Sequence, residues 1–135
     1  VREIKFCGKR IDNGEWVCGD LTRYSEEMAY ITVDLIEGEV YEVYAKTVGL
    51  FTGLKDKNGK DVYEGDYLFD GVQKWQVEYS LTECGFHAKD INAERCNIFS
   101  LYHLCHRHND KREVEVIGNI YDNSELIKTE EDKRL

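Results

Sequence analysis

Residues 52–68 read TGLKDKNGKDVYEGDYL. The stretch resembles chemistry in two ways and a turn in a third, and the choice decides whether the fold is built around a ligand loop or a hairpin. A phosphate-binding loop follows the pattern GxxxxGK[ST]. Here one residue too many separates Gly53 from Gly59-Lys60, and Asp61 stands where the hydroxyl is needed, with a charge that repels phosphate. A calcium loop needs a glycine at its centre and a bidentate glutamate at its end. Counted from Asp56, the glycine arrives two places early and no glutamate closes the loop. Asn58-Gly59, by contrast, is the favoured pair of a two-residue type I′ turn. Gly53 to Asp56 then runs in, the chain reverses, and Lys60 to Tyr63 runs out as the second strand of a hairpin.

The same logic extends in both directions. Upstream, Ile4 and Phe6 alternate with charged residues, Asp12-Asn13-Gly14 turns the chain, and residues 3–9 pair with 15–21 as a hairpin. Ala29 to Leu35 is β-branched and aromatic, Glu37-Gly38 reverses it, and Val40 to Tyr44 follows as a strand. Downstream, Gly65 interrupts residues 62–69 and marks a bend where another backbone comes close. Asp70-Gly71 is a turn, Lys74 to Tyr79 alternates as a half-buried strand, and Glu83 to Ala88 is its partner. Leu101, Leu104 and Cys105 sit at helical spacing behind Ser100, which predicts a short helix near 101–106. Residues 113–121 form a strand bent at Gly118, and Asn123 or Ser124 caps a short C-terminal helix. Residues 129–135 are a charged tail.

The chain has 135 residues, 18 basic and 27 acidic, for a net charge of −9. That size suits one domain with a core, spanning residues 1–128: an N-terminal hairpin region, 1–45, and a central and C-terminal part, 46–128. The acidic balance argues against nucleic acid as a partner. No apolar run is long enough to cross a bilayer, so no membrane is expected. Cys7, Cys18, Cys84, Cys96 and Cys105 are odd in number, and Val1-Arg-Glu-Ile-Lys5 holds no apolar run, so secretion is not expected; they are expected as reduced thiols in a cytoplasm.

The residues that look chemical have plainer roles. Cys84-x-x-His87 and Cys105-x-x-His108 supply four nitrogen and sulfur donors in the manner of a zinc site. Against a metal, Cys84 and His87 point to opposite faces if both lie on one strand. Cys105 beside His106 is no nucleophile–base pair, because neighbouring helical side chains diverge. Asp20 and Asp66 each follow a glycine, where an aspartate accepts hydrogen bonds from its own turn. Tyr41, Tyr44, Phe51, Tyr63, Tyr67 and Trp75 suit a β core or an interface better than a base-stacking platform. Lys55, Lys57 and Lys60 form the solvated tip of the hairpin.

Three segments, Arg2–Arg10 with Gly14–Leu21, Thr47–Asp66, and Glu115–Leu126, resemble in this order the YopX family of phage and prophage proteins. Cys7 stands where the family usually has arginine, Cys18 for tyrosine, Leu50 for glutamine and Ser124 for proline. Residues 72–112 lie outside the resemblance. It implies a mainly β domain of bent antiparallel strands, partly barrel-like in an SH3-like or YopX-like way, and oligomeric. It carries no catalytic residue, metal or cofactor over to this chain. The expected function is therefore that of a non-enzymatic phage accessory protein, binding itself or a host or phage protein in the bacterial cytoplasm. The alternatives are a small-barrel nucleic-acid module and a zinc protein using Cys84, His87, Cys105 and His108.

Overall fold

The computed structural model describes residues 2–34, 36–92, 97–106 and 113–126. Among the described residues the fold is mainly β, with two antiparallel sheets, neither closed into a barrel, and one short α-helix. The chain divides into two compact units, Val1–Gly53 and Leu54–Leu135.

In the first unit, β1 (Phe6–Lys9), β2 (Trp16–Arg23), β3 (Met28–Asp34) and β4 (Glu39–Tyr44) form a meander, and β5 (Gly49–Lys55) leads out of it. Their order is β4-β3-β2-β1-β5. The expected N-terminal hairpin is present, although residues 3–5 lie outside its ladder. The sheet curls back on itself. Arg10, just past β1, bridges Val43 on β4, and the Ile11 N–H donates to the Glu42 carbonyl at 3.1 Å. Only glycine permits this at position 8, where a Cβ would stand 2.9 Å from Val43 Cγ2. Ala29, Ile31 and Val43, all fully buried, form the inner core with Phe6, Val17 and Leu21 against them.

The register of β1 and β2 sets Cys7 directly opposite Cys18, with Cα atoms 4.0 Å apart, and the two form a disulfide. This corrects the expectation of reduced thiols at these positions. The cause is the pleat: opposite residues of an antiparallel pair point to the same face, where their sulfurs meet.

The second unit contains β6 (Asp61–Tyr63), β7 (Asp66–Phe69), β8 (Lys74–Ser80), β9 (Gly85–Asp90), β10 (Ile98–Ser100), α1 (Leu101–Cys105) and β11 (Glu115–Asn119). Its sheet has the order β10-β9-β8-β7-β11. Trp75, Val77 and Leu68 on the sheet pack with Val62, and with Leu101 and Leu104 of α1. The helix is where its apolar spacing placed it. Ser100 is its N-cap by position but makes no side-chain cap. At the C-terminal end, Ser124–Leu126 forms a single 3-10 turn. The Asn123 Oδ1 turns back to accept from the Asn119 N–H at 3.1 Å.

The 52–68 stretch folds as a hairpin, but its turn is not type I′. Asn58 does not adopt a positive φ; Gly59 does, at 81°. The Gly59 N–H donates to the Asp56 carbonyl, and the Asp56 N–H to the Lys60 carbonyl at 2.8 Å. This is the three-residue loop in which an ordinary turn is followed by a left-handed glycine. Asp56 explains the choice. Its Oδ1 accepts from the N–H groups of both Asn58 and Lys60, each at 2.9 Å, which fixes the wider loop.

Tyr67 is fully buried, and its hydroxyl has no hydrogen-bond partner. A buried polar group left unpaired costs more than its absence. Tyr67→Phe is therefore expected to raise stability by about 1 kcal/mol, read as a higher urea midpoint at unchanged slope. A lower midpoint would show that the hydroxyl is satisfied in solution.

Candidate interaction surface

Three buried carboxylates are held by hydrogen-bond donors from the surrounding backbone and side chains. Asp56 is buried; besides its own loop, it accepts from the Val116 N–H at 3.0 Å, sixty residues along the chain. Burial pushes its carboxyl up, but the N–H groups of Val116, Lys60 and Asn58 outweigh that and hold it below the ordinary aspartate value. Asp70, 2% exposed, accepts from the N–H groups of Val72 and Gln73 and from the Trp75 indole at 3.1 Å. Asp90 holds the Asn92 N–H at 2.8 Å and the Gln73 amide at 3.3 Å. Each of these carboxylates joins a turn to a neighbouring segment.

Asp66 behaves differently. It accepts from the Tyr63 N–H at 2.8 Å across the turn that carries Gly65, whose φ is 94°. That turn is the close backbone approach expected at Gly65: its N–H donates to Val77 and its carbonyl accepts from Ile120, both at 2.9 Å. Burial raises the Asp66 carboxyl to about 7, against the pull of the Tyr63 N–H and Lys60. Asp20, by contrast, is an exposed residue of β2 in the other unit. The shared Gly-Asp pair serves two devices, since Gly19 has an ordinary φ and is required because a Cβ there would run into the Thr32 carbonyl.

The four residues considered for zinc are placed as follows. Cys84 lies in the exposed turn before β9, at a φ of 53°, with its thiol directed to the Leu81 carbonyl. His87 is on β9, its Nε2 2.7 Å from Glu78 on β8. Cys105 ends α1, half-buried, and burial raises its thiol to about 11. His108 lies outside the described residues. Among the described residues, no three His, Cys, Asp or Glu side chains stand together as a metal site. The basic hairpin tip is partly neutralised, by Lys55 with Asp61 at 3.5 Å and Lys57 with Glu115 at 3.8 Å.

The aromatic residues divide by burial. Trp75, Tyr67 and Phe51 fill the interior, and Tyr41 lies under the Arg10 guanidinium at 4.2 Å. Others point outward: Tyr24, Tyr44, Tyr79, Phe99 and Tyr102 are each between 37% and 57% exposed. In the first unit, they converge on one face. The register places Tyr30 beside Thr22 on β2 and Glu42 on β4, Thr32 beside Asp20 and Val40, and Met28 beside Tyr44. These side chains share the face opposite Ala29, Ile31 and Val43. Tyr24 stacks on Tyr30, with ring centroids 4.8 Å apart. Sequence reasoning singled out Tyr44 but missed Tyr24 and Tyr30. The signal was present in the alternation of β3, whose second face carries Met28 and Tyr30 instead of charged side chains.

No helix among the described residues is long and apolar enough to cross a membrane. No curated protein matches the chain. A family model described as YopX protein matches residues 5–128, most of the chain, and the protein belongs to the YopX family.

Proposed function

We propose that this phage-related protein catalyses no reaction and acts by binding protein in the cytoplasm of a bacterial host. The observation that carries this reading is the division of labour among its side chains. The buried carboxylates are taken up by backbone N–H groups, and aromatic side chains that the cores do not use are presented on sheet faces. Exposed tyrosine and phenylalanine offer large, stiff contact area at low entropic cost, which is why interfaces are enriched in them. In a host cytoplasm, the Cys7–Cys18 pair meets a reducing thiol pool.

Two measurements test the reading. Affinity capture from infected host cells, using the tagged full chain, is expected to recover a defined protein in fixed proportion. Light scattering over a range of concentrations reports self-association. A protein that stays monomeric at high concentration and captures nothing above a charge-matched control would overturn the proposal.

A further inference from the structure

The sequence distributes its charge unevenly: the two units share the chain's −9 about evenly, but within the first unit the acidic residues collect in one segment. Between Asp20 and Tyr44 there are seven carboxylates and one basic residue, Arg23, a local balance of −6 within the chain's −9. That segment is β2, β3 and β4 with their turns, and its outward face carries the Tyr24–Tyr30 stack, Tyr44, Met28 and Val40. Asp20 and Glu42 are exposed within it. Arg23 falls outside the set, because alternation along β2 places it with Ala29 on the opposite face. Among the described residues of β2, β3 and β4, this face thus combines aromatic rings and carboxylates and holds no lysine or arginine.

We propose that this β2–β3–β4 face docks an arginine-rich segment of a partner protein. The inference rests on the protein-binding reading above and names the partner's chemistry. Guanidinium groups stack on tyrosine faces while donating to carboxylates at their edge, and Tyr24, Tyr30 and Glu42 supply both functions side by side. A second copy of the chain is disfavoured as the occupant, since two such faces set carboxylates against carboxylates. Burial first, and Glu42 after it, raise the Tyr24 hydroxyl to about 12, so it adds no charge to the face.

The test uses a fluorescein-labelled oligo-arginine peptide and the full-length protein, read by fluorescence anisotropy. Saturable binding that weakens with added salt is expected. The double variant Asp20→Asn, Glu42→Gln should lose at least about tenfold in affinity, and Tyr24→Ser, Tyr44→Ser a similar amount, as expected for central contacts. The control Glu64→Gln, Glu83→Gln removes two exposed charges from the second unit and should change affinity by less than about twofold, in keeping with the small worth of scattered surface charge. Equal losses in both charge doubles would overturn the proposal, showing attraction to net charge alone. Absence of binding would overturn it too, as would a homodimer dissolved by Tyr24→Ser, Tyr44→Ser. Affinity capture that still recovers a protein with the tyrosine double variant would leave the protein-binding reading standing while removing this face.

Discussion

Asp56→Ala is expected to destabilise the protein by about 4 kcal/mol, a loss large enough to threaten folding of a marginally stable chain. The carboxylate accepts from the N–H groups of Asn58, Lys60 and Val116. The first two set the hairpin turn. The third ties that turn to the start of β11, where Val114 also accepts from the Lys57 N–H at 2.9 Å. Removing the acceptor leaves three donors to be satisfied at once in a site that is 8% exposed. Asp56→Asn retains one acceptor oxygen and should cost roughly half as much. Chemical denaturation of the three proteins at pH 7 gives the ranking, and an alanine variant within about 1 kcal/mol of the parent would refute the assignment.

Acid supplies an independent reading of the same site. The folded-state pKa of Asp56 is lowered, so its contribution is complete above the unfolded value of about 4 and is lost as pH falls through the folded value. The Asn variant lacks that charge. The difference in stability between parent and Asp56→Asn should therefore shrink as pH drops below about 4.

Much of this is legible in the sequence. Turn chemistry is local, so Asp12-Asn13-Gly14, Asp70-Gly71 and Asn58-Gly59 announced hairpins that exist. Gly65 and Gly118 announced irregularities, and the β11 register does shift between Val116 and Gly118. What escaped depends on partners distant in sequence. The loop at 56–60 is wider than Asn-Gly alone prefers because the Asp56 side chain holds it, and nothing local reveals that the same side chain also binds Val116. The pairing of Cys7 with Cys18 follows from a register that hairpin signals fix only to within a residue or two. The outward face of β2, β3 and β4 was hidden differently. Of its tyrosines only Tyr44 stood out, as suited to a core or an interface, and only the burial of Ala29 and Ile31 on the alternate face shows which set points outward.

Asp66→Asn is expected to act in the opposite direction, stabilising the protein above neutrality. Burial places the Asp66 carboxyl at about 7, well above its unfolded value of about 4. Between those limits, the folded chain holds a proton that the unfolded chain has released. Stability from this group therefore falls as pH rises through that window and levels off above it. The groups acting on the carboxyl are the Tyr63 N–H and Lys60, which favour its charge, and Asp56, which opposes it. An asparagine is the neutral shape of the protonated acid, and its oxygen can still accept from Tyr63. At pH 5, one unit into that window, the variant should exceed the parent by only about 1 kcal/mol. At pH 8 it should be more stable by about 3 kcal/mol, because the parent must carry a half-hidden charge that the variant lacks. Urea midpoints at the two pH values decide it. A variant that is less stable at both would mean that the carboxylate is held in its charged form and that the turn depends on it, placing Asp66 with Asp56 as an anchor of backbone N–H groups.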